Sequence, residues 1–247
     1  MNIQNLKLGK LSPRLDRRTI LFRSVLRKGL PPAPAVYDFD AEHPGLDMPM
    51  FLNDRLGDCV IAARAHMTRR MEVIEQKAVI KISDAEVKKA YFTESGGADS
   101  GLFMLDSLNA WRKGWTAAGK TYSIDAFAGI DRSRLTEIKQ AIYLLSGCYV
   151  GVALPLSAQG QMGKTWTVTT GRNAQRGSWG GHCIYIPGYN ITGPVCITWG
   201  KRQQMTWAWF VKYVDEIYAV VDALDAWRTG KPGIDVAKLE GYLADIA

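Results

Sequence analysis

Cysteine and histidine are scarce in this chain, with four and three residues among 247. Cys59, Cys148, Cys183 and Cys196 form no C-x-x-C pair, so no structural zinc site is expected. Four cysteines in a chain of this length do not make a disulfide framework either, and all are expected reduced. No apolar run approaches the roughly 18 residues of a membrane helix. Before Gly29 every apolar stretch is interrupted by Arg or Lys, so a secretory leader is not expected. The expected location is the cytoplasm, or a virus particle assembled there. Internal repeats and low-complexity tracts are missing as well. What remains, 47% apolar and 22% charged, is an ordinary globular composition.

Acidic residues are almost absent from the first 28 positions, where Asp16 stands alone against eight Lys and Arg. The whole formal charge of +7 therefore sits on this arm, and the body is neutral. Such an arm suits an acidic protein, nucleic acid or an acidic face of its own body. Its apolar residues Ile20, Leu21, Phe22, Val25 and Leu26 imply that part of it docks. Pro31, Pro32 and Pro34 make a stiff extension expected to hold residues 1–28 away from any cleft. The expected division is an arm and linker over 1–34, a body over 35–222, and a tail with a short helix over 223–247. Within the body a helical lobe spans about 50–118 and a β lobe about 119–222.

Val60, Ala63, Met67, Met71 and Ile74 recur at helical spacing after Cys59, with Asp58 at the N-cap position. Ser83-Asp-Ala-Glu86 reads as a capping box opening a second helix, and a third is expected over Leu102–Lys113. The texture then changes. Strands are expected over 122–130, 148–154, 182–189 and 195–199, with 207–213 and 217–221 closing the sheet, and one amphipathic helix over 135–145. Helices first and strands later is the order of an α+β protein with two unlike lobes.

Gly114-Trp-Thr-Ala-Ala-Gly-Lys-Thr121 matches the phosphate-loop pattern. That loop works between a strand and a helix, whose first N–H groups cradle phosphate. Here the order is reversed, so nucleotide binding is not expected. No cofactor is implied.

A nucleophilic cysteine needs a lowered thiol pKa, which a helix N-terminus beside a histidine supplies. Only Cys59 sits at a loop-to-helix junction; the other three lie at or within apolar strands, as small buried hydrophobes do. Of the histidines, His66 is seven residues along the same helix, roughly 10 Å away. His43 precedes Pro44 in a breaker-rich loop. His182 follows Gly180-Gly181 and opens an apolar strand, where a second lobe could present it across a cleft.

Three blocks together resemble those of papain-like cysteine peptidases, including divergent bacterial and phage proteins. They are Asn53-Asp-Arg-Leu-Gly-Asp-Cys59, Gly181-His-Cys-Ile-Tyr-Ile-Pro-Gly-Tyr189 and Thr198-Trp-Gly200. The resemblance covers roughly residues 35–222 and implies a helical lobe followed by an antiparallel β lobe. It implies a thiol hydrolase acting on peptide or other amide bonds, with Cys59 as nucleophile and His182 as base. Asn53 takes the position of the family's oxyanion-hole glutamine, and Trp199 that of the tryptophan shielding the histidine. The family's orienting asparagine falls on Ile197, which cannot accept an imidazole N–H. Thr198 beside it is expected on the opposite face of its strand. The alternative is an impaired papain-like fold serving as a binding or structural subunit, as in a phage particle, attached through the arm. Trp179, Trp207 and Trp209 are expected to pack the strand lobe.

Overall fold

The computed structural model describes residues 6–222 and 233–245. The helices are α1 (Phe22–Val25), α2 (Phe39–Glu42), α3 (Cys59–Gln76), α4 (Asp84–Glu94), α5 (Met104–Lys113), α6 (Leu135–Leu144), α7 (Trp207–Tyr213) and α8 (Val236–Asp245). The strands are β1 (Tyr37–Asp38), β2 (Trp115–Ala117), β3 (Lys120–Tyr122), β4 (Ala126–Gly129), β5 (Cys148–Leu154), β6 (Gly180–Tyr189), β7 (Pro194–Thr198), β8 (Lys201–Gln204) and β9 (Val214–Val221). Strands β4-β9-β5-β6-β7-β8 pair in that order, all antiparallel, and β1 adds to β6. The expected α+β architecture is present.

Side-chain alternation along β6 divides the interior. Ile184 and Ile186 join the core that α6 and α7 cover, with Trp209, Phe210 and Leu144. Cys183 and Tyr185 face the other way, into the core built around α3, with Ile61, Ala65 and Tyr149. The sheet is thus buried on both faces, and α3 packs on one of them.

Helix α3 departs from the expected apolar stripe: fifteen of its residues are buried, Arg64, Arg69, Arg70 and Glu72 among them. A helix buried all round needs partners for its charges. Arg64 pairs with Glu94, Arg69 with Asp47, and Arg70 with Asp40 through two bonds of 2.8 Å. The capping box at Ser83 forms as expected, both of its bonds being made with Glu86.

Two expectations are corrected. Residues 207–213 are helical, not a strand. Thr206 accepts the Trp209 N–H and caps α7, and Trp209, Phe210 and Tyr213 bury one helical face. The apolar spacing there fits either period over so short a run. Residues 122–130 are not one strand: β3 ends at Tyr122 and β4 starts at Ala126. The phosphate-loop decoy is a hairpin, β2 and β3 joined through Ala118 and Gly119, both at positive φ. The four cysteines are unpaired, and Cys148, Cys183 and Cys196 are buried, as expected; Cys59 is buried as well.

Candidate active site

Cys59 is the first residue of α3, so its N–H has no acceptor within the helix. The loop before it is held from outside. Asp99 Oδ1 accepts the Gly57 N–H at 2.8 Å and the Tyr91 hydroxyl at 2.7 Å. Tyr149 of β5 donates to the Val60 carbonyl at 2.6 Å, tying the sheet to the start of α3. Asp58 makes no side-chain cap; its Oδ1 accepts instead from Asn53 Nδ2 at 3.1 Å. Burial pushes the Asp58 carboxyl up to about 8.

His182 lies on β6, fully buried. Its Nε2 is 2.6 Å from Thr198 Oγ1, while its Nδ1 has no hydrogen-bond partner. Thr198 lies on the opposite face of its strand from Ile197, as expected, but that face is the one His182 occupies, and the register explains why. Ile197 pairs directly with Tyr185, so it shares the face of Tyr185 and Cys183 toward α3. Thr198, one residue on, lies on the face of His182 and Ile184. The ladder slips between Tyr185 and Gly188, an irregularity that residue spacing does not reveal. Ile197 faces the α3 core, and the hydroxyl that lies beside His182 Nε2 is that of Thr198.

Trp199 stacks flat on the His182 ring, centroids 4.1 Å apart and planes at 10°. Trp179 stacks on Trp199 at 5.4 Å and, as expected, packs against the core of the strand lobe. Trp199 and Gly200 form the two-residue turn between β7 and β8, with φ of 45° and 69°. Such turns favour Asn or Gly, and a bulky residue there is strained. The turn aims the indole at the imidazole.

The backbone N–H of Cys183, the residue after His182, reaches Cys59 Sγ at 3.4 Å, so the sheet brings the histidine's strand to the sulfur. Asn53, Cys59, His66, Cys183, Ile197 and Thr198 are among the residues lining one residual cavity of about 10 Å³, at the limit for a single water. Asn53 is thus beside the sulfur, but its amide donates to Asp58 and, at 3.4 Å, to the Leu56 carbonyl.

The cleft is full because the N-terminal arm lies in it, contrary to the expected stand-off. Lys10 N donates to the Gly181 carbonyl at 3.2 Å, Leu102 N to the Gly9 carbonyl at 2.7 Å, and Leu11 N to the Leu102 carbonyl at 2.9 Å. The arm is bracketed between the two lobes as an extra strand. Contact is too close for side chains: a Cβ on Gly9 would fall 1.7 Å from the Gly57 carbonyl oxygen, and one on Gly181 2.1 Å from that of Lys10. Further along, Phe22 and Val25 are fully buried, so the apolar half docks on the body as expected. The linker fails as a spacer because the chain between Lys10 and Ile20 returns to the cleft.

Burial raises the Cys59 thiol to about 11, although the Cys183 and Gly9 N–H groups favour the thiolate. Burial likewise lowers His182 to about 3. These shifts favour a neutral thiol and a neutral imidazole.

The chain matches no family model and no curated protein in sequence. Among solved structures it is similar to xylellain, a cysteine protease from Xylella fastidiosa, at 15% identity and a TM-score of 0.68. That match covers 89% of this chain and 97% of the other. It is also similar to a procathepsin B from Trypanosoma congolense, at 10% identity and a TM-score of 0.58, over 88% and 87% of the two chains. A cysteine protease of Carica candamarcensis aligns at 10% identity and a TM-score of 0.56, over 76% and 99%. At these identities the likeness speaks for architecture: this chain has the papain-like fold.

Proposed function

We propose that this protein is a thiol hydrolase of peptide or related amide bonds, working through Cys59 and His182 and held shut by residues 6–11. The observation that carries this reading is the fixed imidazole. Thr198 holds Nε2, Trp199 holds the ring plane, and Nδ1 is left without a partner on the strand that reaches Cys59 Sγ. With the proton on Nε2 and Thr198 as its acceptor, Nδ1 offers a lone pair to the thiol.

Removing the arm readmits water and moves both groups toward their ordinary values, where Nδ1 takes the Cys59 proton. The thiolate attacks the carbonyl carbon, and the oxyanion is met by the Cys59 N–H at the start of α3. Asn53 supplies a second donor once its amide turns from Asp58. Collapse of the tetrahedral species breaks the C–N bond, and the imidazolium returns its proton to the leaving amine. Water, deprotonated by Nδ1, then cleaves the thioester and restores the thiol.

The arm is not a substrate in this pose. Its Gly9 carbonyl is turned to Leu102, whose N–H it accepts at 2.7 Å.

The test is alkylation of Cys59 by a neutral chloroacetamide, followed by peptide mapping. The full chain is folded first, then cut at a protease site built around Leu15, which is fully exposed. Cutting is expected to raise the rate at Cys59 by at least about ten-fold, with a pH profile that His182→Ala abolishes. Peptide hydrolysis by the cut protein, absent in Cys59→Ala, completes the case. A Cys59 that stays silent after the arm has left would refute it and favour a binding or structural subunit.

A further inference from the structure

We propose that Cys183 is a resolving thiol for Cys59, so that hydrogen peroxide acting on the open cleft closes a reversible Cys59–Cys183 disulfide between α3 and β6. The site belongs to the two thiols and stands whether or not Cys59 cleaves an amide.

The sheet divides the four cysteines two and two. Cys148 and Cys196 lie in the core that α6 and α7 cover, whereas Cys59 and Cys183 lie in the core around α3. The second two meet at the cleft, where both line the residual cavity. The Cys183 N–H donates to Cys59 Sγ at 3.4 Å. Cys183 Cα is one bond beyond that nitrogen, and so within about 5 Å of the sulfur. Its own Sγ is two bonds further, on the face of β6 that looks toward α3. A disulfide joins Cα atoms about 4.4–6.8 Å apart, a range that so close a contact between sulfur and backbone makes accessible. The approach is built into the fold. Tyr149 of β5 holds the start of α3 at 2.6 Å, and β5 pairs with β6 through Gly151 and Cys183.

Gly151 also ties Cys183 to the arm. Directly paired residues share a face of the sheet, and a Cβ on Gly151 would fall 2.3 Å from Lys10 Cε. The Lys10 stem thus takes the place of a β5 side chain beside Cys183. When the arm leaves the cleft at Cys59, it leaves Cys183 as well.

A thiolate oxidised alone runs on from sulfenic to sulfinic acid, which ordinary thiols do not reverse; a neighbouring thiol stops it one step earlier. The Cys59 thiolate attacks one peroxide oxygen, so that an S–O bond forms and the O–O bond breaks. The hydroxide that leaves takes up the proton given up by Cys59 and becomes water. Sulfur has then lost two electrons and the peroxide has gained them. Cys183 Sγ next attacks the Cys59 sulfur, forming S–S and breaking S–O. The second hydroxide leaves as water with the Cys183 proton. A dithiol reductant restores both thiols by exchange and is itself oxidised.

The experiment treats the full chain with hydrogen peroxide near neutral pH, both intact and cut at Leu15 with loss of the arm peptide verified by mass. Free thiols are blocked with N-ethylmaleimide after denaturation, and a non-reducing digest locates every cysteine. The cut chain is expected to give a cross-linked peptide holding Cys59 and Cys183, with Cys148 and Cys196 still blocked as thiols. Its rate should exceed that of the intact chain at least about ten-fold, and dithiothreitol should return Cys59 to its starting reactivity. The cross-link in either form upholds the pair. Cys183→Ala should abolish it and raise the fraction of Cys59 lost irreversibly to sulfinic acid at least about five-fold. Absence of the cross-link from both forms, with Cys183 recovered as a free thiol, overturns the proposal. Equal recovery of Cys59 in the unaltered chain and a folded Cys183→Ala variant overturns it too. Peptide hydrolysis enters none of these readouts, so the disulfide and the hydrolase reading fail separately.

Discussion

Replacing Thr198 with valine isolates one contact, the 2.6 Å bond from its hydroxyl to His182 Nε2. Shape is nearly kept, and the hydroxyl is lost. Thr198 is 5% exposed and His182 fully buried, so water cannot substitute and Nε2 is left unsatisfied. An unmade buried bond of this kind costs about 1–3 kcal/mol, a fall in Tm of several degrees for a chain of this size. The kinetic effect is separable. Without an acceptor at Nε2 nothing favours the tautomer that leaves Nδ1 bare. A wrong tautomer costs a serine triad about 10⁴ in rate. A thiolate is intrinsically more nucleophilic, and the Trp199 stack still fixes the ring plane, so a loss of about 100-fold is expected. The assay is the second-order rate of Cys59 alkylation in arm-cut protein against pH, beside a thermal melt. Thr198→Ser keeps the hydroxyl and should restore the rate. If valine and serine variants react alike, Thr198 does not orient the base and the argument from register fails.

Ile197→Asn, which installs the family's amide one residue away, should give no gain in rate. The side chain is 1% exposed in the α3-facing core, and an unpaired amide there should cost about 2–5 kcal/mol by urea denaturation. Gly9→Ala puts a Cβ 1.7 Å from the Gly57 carbonyl oxygen and must displace the arm; alkylation of Cys59 in the uncut chain should rise at least about ten-fold. Asp58, raised to about 8, keeps a proton in the folded state that the unfolded chain loses near 4. The native state then binds more protons across that window, so stability falls as pH rises from about 4 to about 8. Asp58→Asn should flatten that slope and stabilise the protein at pH 8 by up to a few kcal/mol, read from chemical melts across pH.

The place of Cys59 at the start of α3 was legible because its signals are local: a loop-to-helix junction, a helical period and a cysteine at the boundary. The histidine strand and β5 were legible for the same reason, and spacing against a known family joined them. Thr198 was missed because face assignment across two strands depends on register, and one slip in the ladder moves a side chain to the other side. The helix over 207–213 was missed because seven apolar-rich residues satisfy two periods. The arm was misread for a deeper reason. Its charge segregation is a property of composition, whereas its seat depends on glycines at 9, 57 and 181 that meet only in three dimensions.

The stretch between Lys10 in the cleft and Ile20 on the body is about ten residues long, which makes the closed state a matter of effective concentration. A tether this short holds its ligand at a local concentration on the order of millimolar, whatever the concentration of protein. Dilution therefore cannot open the cleft of the intact chain, and a competing peptide must overcome that local excess before it is felt. One cut at Leu15 changes the law that governs occupancy. The same contacts then follow an ordinary dissociation constant, the freed peptide is lost to bulk volume, and the uncovering of Cys59 becomes steeply dependent on dilution.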